Sequence, residues 1–361
     1  MMFLFKTIII TTLVIFTFLT LWEPLGRLPS GEEQKQFKKR TRFFYDGKFH
    51  TEDPLILFDK KAKSDFSKDA EKVPKSSIPV NKLSSIESAD VNKLKFIWIG
   101  HSTSLLQMHG LNIFIAPVLS NYASPVQGLG GKRMSEVPIT ADKMPEIDIL
   151  LLSHDHYDHL DYKTIKDMDA KVKQYVVPLG VDSHLQRWGV DEKKIIIMSW
   201  FESINIKGLE ITSTPGRHYS GRLPWKRNKT LWCGYYLKDN KHSVYYTGDT
   251  GYGDFFKDIS KRFGRMDLVI IENGQYDNKW PDCHMKPEES IEAAKILKAD
   301  YYIPIHWAGF PLAYHSWYDP IKRFTEDAEK ADIKVATPLI GEVVDYENID
   351  KYKNKWWLDV K

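Results

Sequence analysis

The chain has 361 residues, with 51 Lys and Arg against 48 Asp and Glu and a net charge of +3. Its 42% hydrophobic content excludes a disordered chain, and its charge balance excludes a strongly basic nucleic-acid binder. Cys233 and Cys283, the only cysteines, cannot build a disulfide framework or a four-cysteine zinc site, so any metal chemistry falls to the 12 histidines and the carboxylates.

In chain order, residues 1–22 come first, with Lys6 as their single charge. Residues 7–22 are uncharged and mostly apolar, and the run to about Leu25 reaches the roughly 20 residues of a bilayer-spanning helix if Lys6 snorkels. No small-x-small cleavage site follows, so an uncleaved membrane anchor over 1–25 is expected, with a cleaved signal peptide as the alternative. The side of the membrane stays open. Lys35, Lys38, Lys39, Arg40 and Arg42 flank the apolar run, as a cytoplasmic domain would have, but a single Lys before it also suits export.

Residues 26–90 read as a charged spacer along the domain surface, partly ordered by Phe43, Phe44 and Tyr45. Within it, residues 31–75 hold 12 Lys/Arg and 9 Asp/Glu, an excess equal to the net charge of the chain. From about 91 to 361 the pattern becomes that of one folded domain. Strand-like runs recur at 94–99, 104–108, 111–115, 147–153, 174–177, 195–198, 209–213, 232–238, 243–247, 268–271, 301–304 and 334–336. Helical patterns fill 162–168, 181–188, 254–263, 287–297 and 319–330. This alternation predicts sheets packed face to face and covered by helices.

Chemistry concentrates in His154-Asp155-His156-Tyr157-Asp158-His159, directly after the apolar run Ile147–Leu152. Extended backbone puts His154 and His156 on one side, and a turn brings Asp158 and His159 to the same space. Imidazole and carboxylate at this density suit a divalent ion such as zinc. Three more candidates stand in turns after strand-like runs: His218 in TPGRH, Asp249 in TGDTG and His306 in IPIHW. Loops at one edge of a β scaffold are where a catalytic site is expected.

In this order the motifs resemble the metallo-β-lactamase fold, over about 94–344. The resemblance implies an α+β, four-layer αββα sandwich with a dinuclear site between the sheets. It assigns His154, His156 and His218 to one metal, Asp158, His159 and His306 to the other, and Asp249 to a bridge. Zinc is the expected metal, with Mn or Fe as options. A narrower set of motifs is Phe96-Ile-Trp-Ile-Gly100-His101-Ser-Thr103, Ser124-Pro125, Lys132-Arg133, Ile147-Asp148, SHDHYDHLD and Asp282-Cys-His284-Met-Lys-Pro287-Glu288-Glu289. These resemble N-acylphosphatidylethanolamine-hydrolysing phospholipase D and its bacterial relatives. That implies a membrane-associated phosphodiesterase using a metal-bridging hydroxide, with a phospholipid and the membrane as partners. The relatives usually carry Asp-Pro where this chain has Ala116-Pro117, an Asp expected to orient a ligand histidine.

The chain has no Gly-x-Ser-x-Gly elbow, in keeping with a water nucleophile. His284 is the candidate that donates to a phosphate or protonates the leaving group, and Asp155 the candidate that polarises the water. His101 is expected to make a structural hydrogen bond, and the 128–133 loop to lie over the site. Two alternatives stand beside this reading: a hydrolase of a soluble ester, lactone or phosphorylated sugar, and a tethered metal-binding protein with impaired catalysis.

Overall fold

The computed structural model describes residues 22–64, 66, 70–223 and 225–360. The anchor expected over 1–25 lies almost wholly outside them. Among the described residues no helix is long and apolar enough to cross a membrane.

Helix α1 (Gly31–Arg40) leads into a small hairpin of β1 (Phe44–Tyr45) and β2 (Lys48–Phe49). Strands β3 (Lys95–Gly100), β4 (Thr103–Met108) and β5 (Leu111–Ile115) form an antiparallel meander. A second small hairpin, β6 (Tyr122–Ala123) with β7 (Gly131–Lys132), follows. Then β8 (Ile147–Leu151), β9 (Val172–Pro178) and β10 (Ile195–Met198) alternate with α2 (Tyr162–Met168) and α3 (Asp182–Arg187). Next come β11 (Ser203–Ile206), β12 (Leu209–Thr214), β13 (Gly234–Lys238) and β14 (Ser243–Tyr246). Helix α4 (Phe255–Phe263), β15 (Leu268–Glu272), α5 (Pro287–Leu297), β16 (Tyr301–Ile305), α6 (Asp319–Lys330) and β17 (Val343–Asp345) complete the chain.

The first sheet has the order β10-β9-β8-β5-β4-β3-β17 and the second β11-β12-β13-β14-β15-β16. Side-chain alternation explains why they stack. In β3, Phe96 and Trp98 face a central core while Ile97 and Ile99 face an outer one; in β15, Leu268 and Ile270 face the centre and Val269 and Ile271 face outward. The outer face of the first sheet is covered by Ile165 and Met168 of α2 and Leu185 of α3. That of the second is covered by Phe256, Ile259, Ile291, Leu297, Phe324 and Ala328 from α4, α5 and α6. Four layers result, helix-sheet-sheet-helix, as expected. Each fully buried aliphatic side chain contributes about 1.5–3 kcal/mol.

Three local expectations differ. Residues 334–336 form no strand, only an isolated bridge of Val335 to Tyr302 beside the second sheet, whereas the edge of the first sheet is β17, paired with β3. The short strand β11 carries no long apolar run and was not expected. Residues 26–90 are also more than a spacer. Ser30 caps α1, accepting from Glu33 N while Glu33 accepts from Ser30 N. Phe37, Phe44 and Phe49 pack with ring centroids 4.7–5.4 Å apart, so the aromatics bury while the lysines stay in water. Farther on, Ile56 N donates to Asp282 Oδ2 at 2.6 Å and Arg217 Nη2 donates to Pro54 O at 2.8 Å. This straps residues 54–59 across the second sheet's loops.

Candidate metal centre

His154 follows β8, His218 follows β12, Asp249 follows β14 and His306 follows β16, so one edge of the sandwich gathers them. The turn before Asp249 depends on Gly248, whose φ is +63° and whose Cβ would stand 2.6 Å from Cys233 O. An L side chain there would be both strained and blocked.

All seven residues expected to ligate converge. His156 Nδ1 is 2.9 Å from His154 Nε2 and 3.3 Å from His218 Nε2. On the other side, His159 Nε2 is 3.3 Å from Asp158 Oδ2, and His306 Nε2 is 3.5 Å from the same oxygen. Asp249 stands between the groups. Its Oδ2 is 2.9 Å from His159 Nε2, 3.8 Å from His154 Nε2 and 3.9 Å from His218 Nε2, while its Oδ1 is 2.7 Å from His306 Nδ1.

Electrostatics and unmet valence both fit cations. Burial holds His154 well below its ordinary value and lowers His218 to about 3, so these rings are neutral, the form that ligates. Burial also opposes charge on His159, yet Asp249 and Asp158 outweigh it and raise the ring to about 10. Two buried carboxylates thus draw positive charge to that spot. His159 Nε2, His306 Nε2 and Asp249 Oδ1 are buried and make no hydrogen bond despite the short approaches. Each such atom costs about 1–3 kcal/mol unless something binds it. This donor set suits divalent ions.

Other side chains support the seven. His101 Nε2 is 2.9 Å from Asp158 Oδ2, the structural hydrogen bond expected of it. His218 Nδ1 donates to Cys283 O at 2.9 Å, and Ser153 Oγ lies 3.0 Å from His154 Nδ1. No carboxylate stands at Ala116. Its carbonyl accepts from Thr103 Oγ1 at 2.8 Å, and His159 Nδ1 is left without a partner.

Asp155 is not brought to the cluster. Its Oδ1 accepts from Gly221 N at 2.7 Å, and its Oδ2 accepts from Thr230 Oγ1 at 3.0 Å and lies 3.2 Å from His184 Nε2. Instead of facing a reacting water, it fastens the loop after His218 to the first motif. His184 is thereby its partner. Glu272, absent from the sequence candidates, sits behind His284 with Oε1 3.0 Å from His284 Nδ1. The only signal for it is a charged residue closing an otherwise apolar strand, LVIIE.

The cluster floors a cleft of about 340 Å³. His284, Tyr219, Arg227, Gln275 and Trp280 line it, together with Leu57 and Phe58 of the strap, Ala123 of the β6–β7 hairpin and Leu312. The 128–133 loop belongs to that hairpin, but among its residues none lines the cleft. Cys233 and Cys283 are free and buried.

Residues 112–307 match the family model described as a beta-lactamase superfamily domain, and the chain belongs to that superfamily of metal-dependent hydrolases. An uncharacterized protein of Mycobacterium tuberculosis is 35% identical over 307 residues, covering 84% of this chain and 80% of its own length. The N-acyl-phosphatidylethanolamine-hydrolyzing phospholipase D 1 of Caenorhabditis elegans is 30% identical over 290 residues, covering 75% of this chain and 81% of its own. Among solved structures, a novel metallo hydrolase from the archaeon Ignicoccus hospitalis superposes with a TM-score of 0.56 at 20% identity. That match covers 70% of this chain and 98% of the other, a likeness of fold.

Proposed function

We propose that the protein is a dinuclear metal phosphodiesterase of the phospholipase D type, acting on N-acylphosphatidylethanolamine-like lipids at a membrane surface. One observation carries the lipid reading: the apolar side chains left in water gather on the segments that form the cleft. Among the described residues eleven large hydrophobic side chains are exposed. Seven of them, Ile56, Phe58, Val126, Leu129, Trp225, Leu312 and Tyr314, lie on the strap, the β6–β7 hairpin and the two loops that supply Arg227 and Leu312 to the cleft. Apolar residues clustered around a polar site suit an interface with lipid. The name of the Caenorhabditis elegans relative supports the same substrate class.

His154, His156 and His218 would hold one ion, Asp158, His159 and His306 the other, with Asp249 reaching both; zinc is the expected metal. Two divalent ions there would lower the pKa of a water and offset charge on the phosphoryl oxygens. The rest falls to the chain itself. Arg227 brings a guanidinium to the cleft wall for the phosphodiester. His284, whose side chain keeps 13% exposure, meets the leaving oxygen. Residues 7–22, of which 7–21 lie outside the described part, would tether the domain to the bilayer.

The test is to load the purified protein with zinc and supply vesicles containing N-acylated or ordinary phosphatidylethanolamine. Release of phosphatidic acid from either supports the proposal. Turnover of a lactone or soluble phosphodiester alone would favour a soluble-substrate hydrolase, and tightly held metal with no turnover a binding protein.

A further inference from the structure

We infer that the strap, residues 54–59, is a lid that rests on the cleft in water and is drawn off it by a bilayer, an inference that rests on the lipid reading above. The strap hangs between two fixed points. Phe49 is fully buried and its N–H donates to Asn228 O at 2.8 Å, and farther on Ser64 Oγ donates to Asp277. Among the described residues between Phe49 and Ile78, none is buried. The strap is seated through its backbone instead. Pro54 O accepts from Arg217 Nη2 at 2.8 Å, Ile56 N donates to Asp282 Oδ2 at 2.6 Å, and Asp59 N donates to Lys279 O at 2.6 Å. Two of these three bonds meet at one ion pair, Arg217 Nη2 to Asp282 Oδ2 at 3.0 Å, which is the latch.

Leu57 and Phe58 line the cleft, which holds about 340 Å³ with the strap in place. Small-molecule pockets span about 300–1,000 Å³, so this space takes a phosphodiester headgroup and not the acyl chains attached to it. The chains need the strap to lift. A segment with no buried side chain and few backbone bonds is drawn from the low-stability end of a fold, where local opening is cheapest. In water, lifting would expose the covered parts of Leu57 and Phe58. At a bilayer those parts meet acyl chains instead, which removes a bias toward the closed state on the order of 10²-fold. Lipid thereby favours one of the two states over the other, as a population shift requires. Ile56 and Phe58, each 54% exposed, already present an apolar outer face for that contact.

The latch belongs to the wall and not to the moving part. Arg217 is fixed by the second sheet's loops: its N–H donates to Thr250 Oγ1 at 2.8 Å and its Nη1 to Tyr252 O at 3.2 Å. Asp282 precedes Cys283, whose carbonyl accepts from His218 Nδ1 at 2.9 Å. Both posts therefore stay with the cluster when the strap lifts, and opening widens the cleft without moving the proposed ligands. The consequence is selectivity for packed lipid. The same phosphodiester dispersed as single molecules meets the closed form and is turned over slowly, so cleavage is confined to the membrane surface.

The experiment compares zinc-loaded wild type, D282A and D282N on N-butanoyl dihexanoylphosphatidylethanolamine, below and above the concentration at which it forms micelles. Wild-type turnover should step up by about tenfold or more once micelles form. D282A, with no acceptor for Ile56 N and no partner for Arg217, should raise the rate on single molecules and flatten the step. D282N keeps an acceptor for Ile56 N and should fall between. Zinc content should hold in all three. Hydrogen exchange gives a readout free of turnover: dioleoylphosphatidylcholine vesicles should speed exchange at the Ile56 and Asp59 amides of the wild type by about tenfold or more. No step at micelle formation, or exchange no faster on vesicles, would overturn the lid. An equal fall of D282A on single molecules and micelles would also overturn it, and would assign the ion pair to holding the loop of His218. If the wild type cleaves no phosphodiester, the reading above fails by itself, and exchange on vesicles alone then decides for or against the lid.

Discussion

His101 reaches Asp158 from a turn in the other half of the first sheet, its Nε2 2.9 Å from Oδ2. The backbone at His101 takes φ +55°, and its carbonyl accepts from Trp98 Nε1 at 2.8 Å and from His306 N at 3.0 Å. One turn thus orients a carboxylate and fixes the backbone of a histidine of the same group. Partners placed behind a ligand typically govern 10–100-fold in metal affinity. His101→Ala should weaken zinc binding by about tenfold or more in a chelator competition. Unchanged affinity would mean that Asp158 is held by its own loop.

Arg222 ties the segment after the apolar stretch to the first motif. Its Nη1 donates to Asp155 O at 3.0 Å and Leu160 O at 2.8 Å, and its Nη2 donates to Pro24 O at 2.8 Å. The guanidinium also lies 4.0 Å from the centroid of the Tyr157 ring. Arg222→Ala would strand three carbonyls at about 1–3 kcal/mol each if none is rehydrated. Thermal unfolding should register a loss of about 3 kcal/mol, with water entry offsetting part of the sum. A loss below about 1 kcal/mol would show that the segment is held by other contacts.

Asp182 makes folding pH-dependent in the direction opposite to most carboxylates. Burial, and then Glu33, raise it from the ordinary 3.8 to about 6. The folded state therefore binds this proton more tightly than the unfolded state. Stability falls as pH rises from about 4 to about 6, by on the order of 3 kcal/mol in all. Asp182→Asn can still accept from Gly180 N, a bond of 3.1 Å in the native chain. The variant should raise the Tm more at pH 8 than at pH 4. An equal change at both would contradict the shift.

If the exposed apolar rim meets lipid, it can be weakened without entering the cleft. Leu129 and Trp225 are each 64% exposed and do not line it. Burying such side chains contributes about 1.5–3 kcal/mol each, so L129S/W225S should lower vesicle binding by 10²-fold or more. Sedimentation with vesicles measures this, and bis(p-nitrophenyl) phosphate turnover gives the control. Undiminished binding would move the membrane contact elsewhere.

The convergence of the seven residues was legible because six consecutive residues from His154 concentrate imidazole and carboxylate beyond what a surface loop needs, and because His218, Asp249 and His306 each stand in a turn after a strand-like run. The layers were legible through strand alternation. Glu272 was not, since one acidic residue after Ile271 reads as a strand end until the fold brings His284 beside it. Asp155 misled for the converse reason: it stands between two ligand histidines in sequence, but extended backbone sends it to the opposite side, toward Thr230 and His184. Leu57 and Phe58 sat in a charged stretch without periodicity, and the bonds that seat them at the cleft are long-range, such as Arg217 to Pro54. The capping box of Ser30 and Glu33 was readable, but the surrounding charge density obscured it.

The most direct test of a phospholipase D-type reaction is where water's oxygen goes. Zinc-loaded protein would hydrolyse N-acylphosphatidylethanolamine vesicles in oxygen-18 water, with both products read by mass spectrometry. The account predicts one labelled oxygen in the phosphatidic acid and none in the N-acylethanolamine. Label in the alcohol or in a released fatty acid, or no cleavage of the lipid at all, would contradict it.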